Sequence, residues 1–510
     1  MKVYLMYKDR DFDLEQNEPW NGSDLMQDLQ LDPVLSAMAN GEEFLYRVAK
    51  SALLSGLGNG PDVILYRQAV LKDCLKNPSV VKELYKLTVS VIGDRKVSHW
   101  TAGLAYSPLS MLSRAVETLQ VFLGTLKMLR SIADQDADKF ESEGFTEFFA
   151  RLKGEITSEY LAEIEEHLGE LNLRDEVLIG AQLGKGNRGS NYVLLKPQSQ
   201  KKWLQRMFSK GLRGYTFRIN DQDETAMRKL GELRNRGINS VANATAQSVD
   251  HVLNFLVMLR TELAFYLGCV NLHDRLMELG EPMCFPVVAA ASERRLASEG
   301  LYDISLALSL GKQVVANDIN ADNKSLIIVT GANKGGKTTF LRSVGLSQMM
   351  MHCGMFVPAR SFSANLCTGL FTHFKRKEDV SMESGKLDDE LNRMSQIADH
   401  LSANSLVLFN EAFAATNERE GAEIARQIVA ALSERQVKVI FVSHLYQFAH
   451  ELYQGRTDGT LFLRAERKAD GTRTYKLIEG EPLDTSYGVD LYNRIFGTGE
   501  HETYAKVQKR

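Results

Sequence analysis

Proline is scarce in this chain, 10 residues in 510, so no long Pro-rich spacer is available to hold folded parts apart. The five cysteines (Cys74, Cys269, Cys284, Cys353, Cys367) form no C-x-x-C pair and no His-paired zinc spacing. That excludes a small disulfide scaffold, argues against a structural metal, and fits reduced thiols in a cytoplasmic protein. No run approaches the ~20 apolar residues that cross a bilayer, which predicts a protein with no membrane partner. The N-terminus MKVYLMYKDRDFDLEQ places charges around a very short apolar stretch and reads as neither signal nor transit peptide. At roughly 100 to 200 residues per domain, the length suggests about three folding units.

Acid is missing from Val177 through Asn220, where nine bases stand alone: Lys185, Arg188, Lys196, Lys201, Lys202, Arg206, Lys210, Arg213 and Arg218. The whole chain carries a net charge of −4, so the remaining residues sum to −13. A block of this kind makes a local positive potential that the near-neutral total conceals. The segment opens VLIGAQLG, KGNRGS, NYVLLKP, two short β-type runs around a Gly-rich turn, and predicts a hairpin. After it Trp203, Phe208, Tyr215 and Phe217 alternate with the bases, a pattern suited to phosphate contact with some stacking, or else to a solvated loop.

Both flanks of this insertion carry helical spacing. Upstream, from about 107 to 170, apolar residues recur at three- and four-residue steps; downstream the same spacing runs from Asp223 to Gly280. Long helices around a basic insertion suggest a lever with a charged tip. Near Pro286 the period changes, and short β-branched runs then alternate with helices to about residue 455, an α/β pattern.

Within that region SLIIVT leads into GANKGGKTT and then FLRSVGLSQMMM, a buried strand, a G-x-x-x-x-G-K-T loop and a helix. This is a P-loop in its required context. Gly331, Gly335 and Gly336 let backbone N–H groups turn toward phosphate oxygens. Lys337 is expected to reach the β- and γ-phosphates and Thr338 to place its hydroxyl on Mg²⁺, with Ala332, Asn333, Lys334 and Thr339 completing the loop. About 70 residues on, SLVLFNEA carries four apolar residues into Asn410 and Glu411, the position of the metal-orienting acid and the catalytic base. Asn410 brings an amide where a carboxylate is usual, so weaker Mg²⁺ coupling or slower hydrolysis is expected. Glu411 is the candidate base. A third run, VKVIFVSH, ends at His444, which is either structural or a sensor of the γ-phosphate.

In this order the motifs resemble the MutS family of DNA mismatch repair ATPases, a branch of the ABC-type P-loop fold. GANKGGKTTFLRSVGL, GMFVPA, SLVLFNEAFAATNEREG and FVSH match in sequence, and TSYGVDLYNRIFG is similar to the family's C-terminal S-Y-G segment. The likeness is specific over about 260 to 495 and architectural over 50 to 260. It implies a multidomain α + α/β protein: an N-terminal segment (1–50), a helical core and lever (51–285) with the basic hairpin insertion at about 174–220, a P-loop ATPase domain (286–480), and a helix-turn-helix dimerisation segment (481–510). By the same resemblance Gly331 through Thr339 bind ATP, and Val314, Val315 and Asn317 lie beside the adenine. Thr338, Asn410 and Glu411 face Mg²⁺.

Ser384, Gly385 and Glu390 would belong to a signature helix reaching a partner subunit's nucleotide, although Leu387, Asp388 and Asp389 depart from the family pattern and an acidic solvated helix fits as well. The family's Phe-x-Glu mismatch wedge has only FTE at 145–147 as a counterpart, inside a helix-patterned stretch and read as helix surface. The expectation is a short MutS-like homodimer without the mismatch reader, gripping DNA through Lys185, Arg188, Lys201, Lys202, Arg206, Lys210 and Arg213. The alternative is a slow or non-hydrolysing nucleotide switch that binds RNA, a ribosome or a protein.

Overall fold

The computed structural model describes residues 1–101, 107–172, 177–187, 189–195, 218–220, 222–376, 385–455, 458–468 and 472–483. The chain divides into two compact units that both draw on its two halves. The first comprises Met1–Leu5, Asp9–Phe12 and Lys76–Leu263; the second comprises Met6–Lys8, Asp13–Leu75 and Ala264–Arg510.

Helices of the second unit's N-terminal part are α1 (Gly22–Asp28), α2 (Asp32–Ala39), α3 (Glu43–Ser55) and α4 (Pro61–Lys76). The first unit is then built from α5 (Pro78–Ile92), α6 (Arg95–Thr101), α7 (Pro108–Asp136), α8 (Glu143–Glu155) and α9 (Ser158–Glu170). Hydroxyl caps start α7, α8 and α9: Ser107, Ser142 and Thr157 each accept from a backbone N–H three residues on. Phe140, Phe145, Phe148 and Phe149 stack into one aromatic cluster. Phe145 is fully buried in it, while Thr146 and Glu147 are exposed. The FTE triplet therefore lies on a helix as read, but its phenylalanine is core, not surface, because α8 turns that face inward.

The acid-free segment begins with β1 (Ile179–Leu183) and β2 (Gly189–Leu194), an antiparallel hairpin. Its turn uses Gly186 at a φ of 69°. The rest of the expected DNA-binding set, Arg188, Lys201, Lys202, Arg206, Lys210 and Arg213, lies outside the described residues; Lys185 sits in the hairpin turn. The downstream periodicity is one unbroken helix, α10 (Glu224–Leu279), of 56 residues. One window of it has a mean hydropathy of 1.4 and is 67% buried, as in the core helix of a globular domain.

In the second unit, β3 (Val287–Ala289), β4 (Leu296–Leu301), β5 (Asn317–Asn320) and β7 (Ser361–Asn365) form a four-stranded sheet in the order β3-β7-β4-β5. A six-stranded sheet runs β12-β11-β6-β10-β9-β8. Its strands are β6 (Leu326–Thr330), β8 (Leu370–Phe374), β9 (Leu406–Asn410), β10 (Lys438–Val442), β11 (Thr460–Arg467) and β12 (Arg473–Glu479). All pairs are parallel except β11 with β12. Runs of four apolar residues such as LIIV and VIFV suit strands covered on both faces, and β6 and β10 are buried along their whole length. The helices here are α11 (Ile304–Leu310), α12 (Lys337–His352), α13 (Lys386–His400), α14 (Glu418–Glu434) and α15 (Tyr446–Gln454). The expected C-terminal helix-turn-helix lies outside the described residues from 484 onward.

Residues 13–75 are integral to this second unit. Asn59 Nδ2 donates to the His352 carbonyl at 3.1 Å, Cys353 Sγ to the Ala52 carbonyl at 3.2 Å, and Ser305 Oγ to the Gln30 carbonyl at 2.7 Å. Arg67, fully buried, donates through Nε to the Met6 carbonyl and lies over the Tyr7 ring at 4.5 Å. A cation is tolerated there by the ring face and that one hydrogen bond.

Candidate functional site

The site forms where the parallel strands end. β6 stops at Thr330, the loop 331–336 curls, and α12 begins at Lys337. Gly331 has a φ of 108° and Gly336 one of 94°, regions closed to most side chains. Space is as limiting as conformation: a Cβ on Gly331 would lie 2.8 Å from the Ala465 nitrogen, and one on Gly336 3.1 Å from the Tyr475 carbonyl. The β11–β12 hairpin thus passes directly against the loop. Lys334, at its crest, also has a positive φ, 59°.

Lys337 is 5% exposed and folds back on the loop, its Nζ donating to the carbonyls of Gly331 at 2.8 Å and Ala332 at 3.0 Å. Burial pushes its ammonium down to about 8, against the attraction of Glu411. The Thr338 hydroxyl donates to Asn410 Oδ1 at 2.9 Å. Glu411, next along, takes a φ of 55° just past the end of β9 and is anchored by its N–H on the Val442 carbonyl. Its Oε1 accepts from His444 Nε2 at 3.0 Å. That hydrogen bond, more than any other influence, holds the Glu411 carboxyl below its ordinary range.

These groups open onto a cleft of about 570 Å³, a size suited to a nucleotide or drug-sized ligand. Its apolar side is Leu306, Leu310, Val314 and Val315; its polar side is the loop from Asn333 to Thr339 with Glu411 and Tyr475. Asn317 lines it too, but its amide is engaged: Oδ1 accepts from the Leu477 N–H at 2.7 Å and Nδ2 donates to the Tyr475 carbonyl at 3.4 Å. Asn317 therefore ties β5 to β12 and sets the wall. Tyr475, half-exposed on that wall, carries no signal in the sequence; its φ of 62° and its place over the loop emerge only from strand pairing. Gln313 and Lys312 line the same cleft and were equally silent.

Of the expected signature residues, Ser384 lies outside the described residues and Gly385 is the N-cap of α13. Glu390 faces the strand ends of its own unit: Oε2 accepts from the Phe413 N–H at 2.7 Å, and its carbonyl meets His373 Nε2 at 2.9 Å. Phe413 is itself held at a φ of 61°. His373 is fully buried between the rings of Phe409 and Phe413, and burial pushes its imidazole down to about 4, so it is neutral.

For Mg²⁺, the Thr338 hydroxyl and the Asn410 amide oxygen lie together, but they are two uncharged oxygens, a weak ligand set for a hard cation. An ion held there would need most of its negative charge from a bound ligand.

A strand–glycine-loop–helix unit with a polar cluster at the carboxyl ends of its parallel strands, in a chain with a second, mostly helical unit, defines a multidomain α + α/β protein with a candidate anion-binding cleft. Comparison with known proteins agrees with both halves. The family model for the MutS2 N-terminal domain matches residues 59–279, and that for MutS domain V matches residues 327–497. The chain is 32% identical over 179 residues to the DNA mismatch repair protein MutS of Thermotoga maritima, covering 35% of this chain and 22% of that protein. Against its namesake from Thermotoga petrophila it is 31% identical over 216 residues, 41% of this chain and 27% of that protein. The Thermus aquaticus protein of the same name is 30% identical over 179 residues, with shares of 35% and 22%. The chain belongs to the MutS family, and its matched part spans about a quarter of these relatives.

Proposed function

We propose that this protein is a MutS-type P-loop ATPase that binds DNA as a homodimer, its grip on DNA gated by nucleotide. The observation that carries this reading is that Lys337, Thr338 and Glu411 line one cleft, with Thr338 hydrogen-bonded to Asn410 and Glu411 to His444. Lys337, buried and charged, is the group to hold phosphate oxygens, and it exchanges the Gly331 and Ala332 carbonyls for them when a triphosphate enters. The adenine lies against Val314, Val315 and Tyr475 on the apolar side, and Asn317 keeps that wall in place. Mg²⁺, when bound with the triphosphate at Thr338 and Asn410, supplies neutralisation of the phosphate charge. Glu411 takes the proton of the attacking water, and His444 fixes the carboxylate that receives it. A carboxyl held low is a weak base near neutral pH, so Glu411 and the uncharged Asn410 both favour slow turnover.

Domain boundaries at 50, 285 and 480, a dimerising segment over 481–510, a signature contact through Ser384 and Gly385, and a cytoplasmic setting belong to the same proposal. So does DNA contact through Lys185, Arg188, Lys201, Lys202, Arg206, Lys210 and Arg213, which rests on the acid-free charge block. DNA binding should be largely sequence-independent and weaken steeply with salt. Changing Lys201, Lys202, Arg206 and Lys210 to Glu should abolish retention of duplex DNA on a filter while ATP binding persists. Affinity that stays flat from low to moderate salt rejects the DNA grip.

A second reading is favoured by Asn410: a nucleotide-gated switch that binds a structured RNA, a ribosome or a protein. Steady-state phosphate release separates the two. ATP binding without turnover in Mg²⁺ and DNA supports the switch.

A further inference from the structure

A second cavity, of about 1090 Å³, meets the nucleotide cleft at Thr338, which lines both. Five basic side chains line it, Arg342, Lys375, Arg376, Lys386 and Arg393, together with the carboxylates of Asp28, Asp389 and Glu390. The arginines already have carboxylates. Arg342 pairs with buried Asp303 at 2.5 Å, Arg376 with Asp24, and Arg393 with Asp28 at 2.9 Å. Lys375 differs, because its ammonium has no hydrogen bond or ion pair among the described residues. Its position is nevertheless fixed. It follows β8 directly, in register with the end of β9 (Phe374 opposite Asn410), and its backbone N–H donates to the Asn410 carbonyl at 3.0 Å. That places it one residue from the Thr338–Asn410 contact, and its charge acts on two carboxylates, Glu390 and Glu411.

The charges around this spot are therefore unusual for a triphosphate site. Where a carboxylate would favour a divalent cation stands neutral Asn410, and a lysine stands beside it. The lysine offsets the pull of the Glu411 carboxylate on a metal, and it binds phosphate oxygen as a compact point charge. We propose that Lys375 is a second cation for the terminal phosphate of the bound triphosphate, so that the site holds ATP with little dependence on divalent metal. The proposal rests on the nucleotide-site reading above and adds the ligand's charge partner and its metal requirement.

The test is an equilibrium titration of the full-length protein with N-methylanthraniloyl ATP and ADP, in Mg²⁺ and in EDTA. Wild type, Lys375→Gln, Lys375→Arg and Lys337→Ala are compared. Removing metal should cost wild type less than about tenfold in ATP affinity, and Lys375→Gln about a further tenfold or more, as expected for loss of one charged phosphate contact. Lys375→Arg should restore binding in EDTA, and ADP affinity should be unchanged throughout, because only the terminal phosphate is touched. Lys375 is exposed, so these variants keep the fold. Wild type that loses ATP when metal is removed overturns the proposal, and so does Lys375→Gln that matches wild type in EDTA. If wild type fails to bind ATP in Mg²⁺, or Lys337→Ala binds it unchanged, the nucleotide-site reading falls first and this proposal with it.

Discussion

The Thr338 hydroxyl donates to the Asn410 amide oxygen across 2.9 Å, joining the first turn of α12 to the end of β9. An aspartate here would accept the same hydrogen bond and add a negative charge beside the cleft. Asn410→Asp is therefore expected to leave the fold intact, tighten Mg²⁺ binding about tenfold, and raise the rate of phosphate release. Metal titration followed by intrinsic fluorescence, alongside a phosphate-release assay, reads both. A variant with unchanged metal affinity would show that the amide is not the brake.

Lys337 sets a pH dependence. Its ammonium, pushed by burial down to about 8, is the form that attracts phosphate, so ATP affinity should be level below about pH 7 and fall as pH rises through 8. Bound phosphate stabilises the ammonium, so binding near pH 8 should take up a proton. Calorimetry in buffers of different ionisation enthalpy measures that uptake, and a zero value at pH 8 would place the ammonium elsewhere. Lys337→Met should lose ATP without loss of thermal stability, because it removes a desolvated charge.

Glu411 and His444 act as a pair. Glu411→Gln should retain ATP affinity and reduce turnover about 100-fold or more, the usual weight of a positioned base. His444→Ala removes the hydrogen bond that holds the Glu411 carboxyl low, so the acid limb of the pH–rate profile should move to higher pH. An unmoved limb would assign that titration to another group.

Glu390 holds the strand-end loop through the Phe413 N–H. Glu390→Ala should lower kcat with ATP affinity unchanged, and Glu390→Gln, which keeps an acceptor oxygen, should recover most of it. Equal loss in both variants would mean that charge rather than the hydrogen bond matters.

Much of this was legible in the residues because local patterns carry it. LIIVT, LVLFN and KVIFV each carry four apolar residues in a row and form the parallel strands, and the glycine loop falls between strand and helix as its spacing requires. The periodicity over 223–280 became one helix. Other features depend on pairing between distant segments, which periodicity does not encode. Gly331 and Gly336 are glycine partly because Ala465 and Tyr475 crowd them, and nothing near residue 335 foretells a strand 130 or so residues on. Asn317 was expected at the adenine, and its amide is spent on β12. Lys375 is one base in the run FKRK, and only the β8–β9 register sets it beside Asn410.

Residues 13–75 pack on α11 and α12, which lie more than 200 residues further along the chain. During synthesis, then, these helices wait for partners that emerge much later, and the unit closes only over a loop that includes the helical unit. Such non-local closure slows folding and leaves the apolar faces of α2 and α3 exposed to wrong partners in the interval. A fragment cut at the start of the α/β pattern would lack those helices altogether. It would uncover the far end of α12, the helix that begins at Lys337.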